Sequence, residues 1–151
     1  MITYQLSIFA ENKPGRLAAV TQVLARERIN IRATTIATSD TFGVITLIVD
    51  DPPRAEAALK KAGMTVRLSR VLAVVIPDDP GGLDNLTQLL LAEGININNA
   101  YGFVLEGGRK AVFVVSVDRI EAAEKLLATK GFQTLDAQAL SAIEPIHYLK
   151  Q

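Results

Sequence analysis

Asn12, Lys13, Pro14, Gly15, Arg16 and Leu17 stand in a row, and the row is echoed as Asp78, Asp79, Pro80, Gly81, Gly82 and Leu83. The chemistry such a turn can do is anion capture. Where a strand breaks into a helix, the first backbone N–H groups have no intrahelical partner, and the helix dipole puts positive charge at that end. A carboxylate fits there. Gly15 carries no side chain, so a ligand can come close to its backbone. Asn12 can donate and accept hydrogen bonds, as can Asn30 where the chain leaves the helix. A free amino acid offers a carboxylate for the N–H groups and an ammonium for asparagine carbonyl oxygens. The same residues also have local explanations that need no ligand. Pro-Gly is a common turn, and asparagine often ends a helix in a left-handed conformation.

Such residues act only if flanking elements hold them, and the chain supplies those elements twice. The offset of the turn is 66 positions, from 12 to 78, and Ile29-Asn30-Ile31 returns at the same offset as Ile95-Asn96-Ile97. Asp50 and Gly63 return as Asp118 and Gly131, now 68 positions on. An offset that holds and then grows by two marks a duplicated unit with one short insertion, which we place in the hairpin at Glu106-Gly107-Gly108, where added length is cheap.

In the first copy Ile2, Tyr4, Leu6 and Ile8 alternate with polar residues, the period of a half-buried strand. Leu17, Val20 and Leu24 put an apolar stripe on a helix from Arg16 to Glu27. Strands follow at Ile29 to Thr38 and Val44 to Val49, then a helix entered through Asp50-Asp51-Pro52-Pro53 and stopped by Gly63, then a strand from Thr65. The second copy repeats the plan: a strand with Leu72, Val74 and Ile76, a helix with Leu83, Leu86 and Leu90, strands at Asn96–Leu105 and Lys110–Val117, and a helix with Ala123, Leu126 and Leu127. A last strand is expected at Phe132–Ala139. The order β-α-β-β-α-β is the ferredoxin-like plan. The expected class is α+β: two tandem units at 1–68 and 69–140 with antiparallel sheets side by side, and a tail at 141–151. No glycine or proline separates Thr65 from Ile76, so one strand can run from the first unit into the second.

Composition narrows the function. Sixteen basic residues balance sixteen acidic ones, which disfavours a nucleic-acid or anionic-membrane surface. The absence of cysteine excludes disulfides, thiolate nucleophiles and iron–sulfur clusters held by thiolates. No apolar run approaches the ~20 residues of a membrane span, and the opening residues read as strand rather than signal peptide, so a cytoplasmic setting is expected. On the outer face of the first strand, Gln5 and Ser7 are replaced in the second copy by Ala73 and Val75, beside Val112 and Val114. A sheet apolar on both faces needs a cover, and a second subunit packed there is the expectation, making a homodimer.

Phe9-Ala10-Glu11-Asn12-Lys13-Pro14-Gly15-Arg16-Leu17, followed by Ile29-Asn30-Ile31, resembles the signature of the ACT domain family, and the motif recurs in register across nearly the whole chain. The resemblance implies a regulatory module that binds a small amino acid between paired units and modulates a partner enzyme of amino-acid metabolism. It points to Asn12, Pro14, Gly15, Arg16, Leu17 and Asn30 in the first copy. In the second it points to Asp78, Pro80, Gly81, Gly82, Leu83 and Asn96. Some serine-binding members that resemble this chain carry a histidine where Ala10 stands here. Asp78 and Asp79 would repel a ligand carboxylate, so the first turn is expected to bind the more strongly.

Other features are weaker. His147 has neither cysteine nor clustered carboxylates around it, a poor metal site. Gly107-Gly108-Arg109-Lys110 lacks the strand–loop–helix setting of a phosphate loop and reads as a hairpin. Asp50, Asp51 and Asp118 read as helix caps. No nucleophile, base and orienting group come together, so neither catalysis nor a cofactor is expected. A ligand-free scaffolding subunit is the alternative. An acylphosphatase-like enzyme matches the turn poorly, and an RNA-binding module of the same order would need exposed aromatics on its central strands.

Overall fold

The computed structural model describes residues 1–142. The expected tail at 141–151, with His147, therefore lies almost wholly outside the described residues. The chain forms two compact units: Tyr4–Ser69, and Met1–Thr3 together with the residues from Arg70 onward.

The first unit contains β1 (Thr3–Glu11), α1 (Arg16–Arg26), β2 (Ile31–Ser39), β3 (Phe42–Val49), α2 (Pro52–Lys61) and the opening of β4 (Thr65–Pro77), in the strand order β2-β3-β1-β4. Pairing of β1 with β3 is antiparallel and sets Leu6 opposite Leu47 and Ile8 opposite Ile45. These side chains share one face, because strand residues alternate sides. Val20 and Leu24 of α1 and Ala55 and Leu59 of α2 close over them in one buried cluster. Asp51 caps α2, accepting the Arg54 N–H at 3.3 Å, and Gly63 leaves it at φ +85°.

The second unit repeats the arrangement with the rest of β4, α3 (Gly82–Ala92), β5 (Ile97–Glu106), β6 (Lys110–Val117), α4 (Ile120–Thr129) and β7 (Thr134–Leu135), in the order β7-β4-β6-β5. Leu72 faces Val115 and Val74 faces Phe113 across β4 and β6. Leu72, Val74, Leu86, Leu90, Ala123 and Leu127 form its core. The α+β, ferredoxin-like reading holds in both copies, and β4 carries the chain from one unit into the next as a single strand of 13 residues.

The two added residues fall as expected near the second hairpin, but they divide between two places. The first hairpin turns through Asp40 and Thr41, whereas the second turns through 107–109, one residue longer. The other extra residue lies in β5, where the register slips between Val104 and Glu106. A bulge absorbs one residue without breaking the pairing.

Three expectations are corrected. The strand at Phe132–Ala139 shrinks to Thr134–Leu135, because Asp136 accepts the Ala139 N–H at 2.7 Å and starts a short helix, α5 (Ala137–Ser141). Asp50 and Asp118 are not helix caps. Their carboxylates accept the Asn30 and Asn96 N–H groups, each at 3.1 Å, and so pin the start of β2 and of β5. Finally, Ala73, Val112 and Val114 are fully buried within the single chain. These three side chains are covered within the chain and need no second subunit, while Val75 of the same face stays part-exposed.

Val112→Asp is therefore expected to destabilise the folded chain itself, by about 3 kcal/mol or more for an unpaired buried carboxylate. Denaturant unfolding at two protein concentrations checks this: a subunit-interface role would make the loss concentration-dependent.

Candidate functional site

The turn that follows β1 must reverse the chain within four residues. Gly15 makes the reversal at φ +87°, a left-handed conformation open to glycine and strained for other residues. It then serves as the N-cap of α1, where no side chain caps the helix. The Arg16 N–H donates to the Lys13 carbonyl at 3.4 Å, and the Leu17 and Ala18 amides are left to a solvent-open hollow of about 200 Å³, room for a handful of heavy atoms given ~30 Å³ per water. Asn12, Gly15, Arg16 and Leu17 line it, and across from them stand Ile36, Thr38, Gly43 and Ile45 of the β2–β3 hairpin. Four of the six residues singled out in the first copy are thus brought together. Pro14 shapes the turn without reaching the cavity, and Asn30 is elsewhere.

The charges of this hollow are mixed. Glu11 lines it beside Lys13 and Arg16 and pairs with both. The Lys13 ammonium, hydrogen-bonded to Glu11, holds that carboxyl below the usual carboxylate range, with a smaller contribution from Arg16. A lowered carboxyl pKa means that the pair's stabilisation is complete above the unfolded value and fades as pH falls through the folded one. At neutral pH the cavity therefore presents one full negative charge, two positive ones and an uncapped helix start.

Asn30 lies at the other end of the sheet. Both β1 and β2 run antiparallel to β3, so they point the same way. Asn12 stands at the hairpin end, where its N–H donates to the Thr41 carbonyl at 2.8 Å. Asn30 stands at the far end of β3, where its carbonyl accepts the Asp50 N–H at 3.1 Å. The intervening strand, Phe42 to Val49, is about 23 Å long at ~3.3 Å per residue. No small ligand spans that distance inside one unit.

In the second copy the turn is built for a different task. Asp78 accepts the Gly108 N–H at 2.9 Å and its own N–H donates to the Arg109 carbonyl at 3.0 Å, so it fastens the longer hairpin to the end of β4. Asn12 makes the equivalent tie in the first copy, but as a donor, from Nδ2 to the Asp40 carbonyl at 3.1 Å. The change of hairpin length presents an N–H where a carbonyl stood, and the side chain facing it changes from an amide donor to a carboxylate acceptor. Gly81 repeats the left-handed turn at φ +91°. Gly82 is buried, and a Cβ there would run into the Pro77 carbonyl oxygen; it is a packing requirement, not an open floor. Pro80 is exposed, as are Leu83 and Asn96, the last donating from Nδ2 to Asn98 Oδ1 at 2.9 Å.

The family of ACT domain pairs matches residues 1–144. The chain is an ACT domain pair. Among solved structures it is similar to protein BT0572 from Bacteroides thetaiotaomicron, at 37% identity and a TM-score of 0.88, over 94% of this chain and 97% of that one. It shares its fold with the ligand-free regulatory subunit of aspartate kinase from Thermus thermophilus, at 17% identity and a TM-score of 0.62 over 87% and 97% of the two chains. The same subunit from Thermus flavus gives 19% and 0.58 over 85% and 92%. No curated protein matches it significantly.

Sequence reasoning missed the hairpin wall of the ACT pair's cavity and the part played by Glu11. A strand-alternation count on β2 would have set Ile36 and Thr38 on one face, but only the hairpin pairing shows that they stand opposite the turn. The reversed ties give an asymmetric expectation. Asn12→Asp sets a carboxylate against the Asp40 carbonyl and should lose about 1 kcal/mol, whereas Asp78→Asn keeps an acceptor for Gly108 and should lose under ~0.5 kcal/mol. Equilibrium denaturation of both variants checks the order.

Proposed function

We propose that this ACT pair is a non-catalytic sensor that binds a small amino acid at the first-repeat turn and passes the binding to a partner enzyme of amino-acid metabolism. The observation that carries this reading is the mixed-charge hollow at Gly15. Its uncapped amides and Arg16 suit a carboxylate, and Glu11 suits an ammonium. A zwitterion satisfies both, whereas a simple anion would face Glu11. The second turn, with Asp78 committed to its hairpin, is the weaker partner for a carboxylate.

The roughly 23 Å between the turn and Asn30 supports sharing of the ligand between two ACT units. Two copies of the chain, as a homodimer, would supply complementary halves. Binding then favours one assembly over another, and a partner sensitive to that assembly responds; linkage requires no direct contact between ligand and partner. Regulatory subunits of aspartate kinase, which share the fold, are the precedent for an ACT pair acting on another chain. A cytoplasmic setting fits the reading, and among the described residues no helix is long and apolar enough to cross a membrane.

The test is a thermal-shift screen of the twenty amino acids against the full chain. A cognate ligand at a hundred times its Kd adds about 2.7 kcal/mol to stability, and sedimentation with and without it reports the assembly. Glu11→Gln should weaken the response at least fivefold at neutral pH. Binding to the unsubstituted chain should hold down to pH ~5, because Glu11 ionises below the usual range. No stabilisation by any amino acid at millimolar concentration would leave the scaffolding-subunit alternative in its place.

A further inference from the structure

Duplication supplies an internal comparison, because one place on the fold can be read in both repeats. Between the end of the first strand, the start of the first helix and the residues after the second helix, each repeat has a hollow. In the first repeat it measures about 250 Å³ and is lined by Glu11, Arg16, Ala19, Phe42, Met64 and Thr65, among others. In the second it measures about 410 Å³. There the same positions, at the offsets of 66 and 68, carry Pro77, Gly82, Asn85, Lys110, Phe132 and Gln133.

The replacements change the charge of the lining. Pro77 removes the carboxylate of Glu11, and Gly82 removes the guanidinium of Arg16. Lys110 puts a cation where Phe42 stood, and Lys130, which also lines the hollow, stands where the first repeat has Ala62. Asn85 and Gln133 add amides. Arg109, contributed by the lengthened hairpin, brings the cations on the lining to three, and no acidic side chain is among the lining residues. Lys130 has no ion-pair partner among the described residues. Of the two neighbouring carboxylates, Asp78 is turned to the Gly108 N–H, and Asp79 stands beside Gly82, its Oδ1 3.3 Å from where a Cβ there would lie. Ile76 and the half-buried Phe132 give the hollow an apolar wall.

We infer that the second repeat holds a site of its own for a phosphate-bearing small molecule. A phosphoryl group brings about −1.5 to −2 charges at pH 7 and three acceptor oxygens, which answers the two lysines of the lining better than a single carboxylate does. The amides can reach further oxygens, and the wall of Ile76 and Phe132 can take an organic portion. The ACT pair would then have two chemically distinct ligand sites, a zwitterion site in one repeat and an anion site in the other.

Isothermal titration calorimetry of the full chain at low ionic strength tests this with inorganic phosphate, pyrophosphate and ADP as probes. Binding of pyrophosphate or ADP, weakening as salt is raised, is expected. ADP tighter than pyrophosphate would assign an organic phosphate, and equal affinity a free one. Lys110→Phe with Lys130→Ala, which restores the first-repeat residues, should weaken binding at least tenfold, as should Lys130→Gln with Lys110→Gln if the first pair folds poorly. Arg67→Ala, an exposed cation outside both hollows, should leave it unchanged. Absence of heat with all three probes at millimolar concentration would overturn the inference. So would undiminished binding by the lysine variants, or an equal loss from Arg67→Ala. The outcome is independent of the amino-acid screen, which reads the other repeat.

Discussion

A backbone that must pass from strand to helix in four residues needs one residue with positive φ, and in both repeats a glycine supplies it. That requirement organises what surrounds it. Because Gly15 and Gly81 occupy the N-cap, neither α1 nor α3 receives the side-chain cap that Asp51 gives α2 and Asp136 gives α5. Helix starts are therefore left chemically open where the strand ends and the hairpin converge. The apolar cores do the stabilising, and the glycine turns decide where the surface can bind.

Divergence between the repeats acts on that shared frame without disturbing it. The core positions keep their apolar character, Leu6 with Leu72 and Leu24 with Leu90, all buried. The rim has changed instead. One extra residue in the hairpin and one in a bulge convert a donor tie at Asn12 into an acceptor tie at Asp78. Gly82 shows the opposite logic, since its place against Pro77 excludes any side chain. Residues at aligned positions thus carry different duties, and a role shown for one repeat does not transfer to the other by alignment alone.

Much of this was legible in the residues. The two offsets, the alternation in β1 and the stripe Leu17, Val20 and Leu24 report local periodicity, and local periodicity is what sequence records most directly. Gly63 and Gly131 as helix stops were readable for the same reason. What escaped depended on partners distant in the chain. Asp50 looks like a cap until Asn30 is seen to donate to it across 20 residues. Phe132 to Ala139 reads as a strand until Asp136 finds the Ala139 amide. The buried state of Ala73, Val112 and Val114 could not be foreseen, because an apolar face announces that it will be covered but not by what.

The passage between the repeats has a consequence for how this protein can be taken apart. Its boundary, at Ser69 and Arg70, falls in the middle of β4 instead of in a loop. Proteases cut most readily at exposed loop tips, and the seam is strand instead of loop. Gene fragments cut there would each inherit a frayed half-strand with unpaired backbone groups. Recombination that shuffles single modules between such proteins should therefore favour crossovers in the hairpins over crossovers at the seam, leaving the pair to be inherited whole.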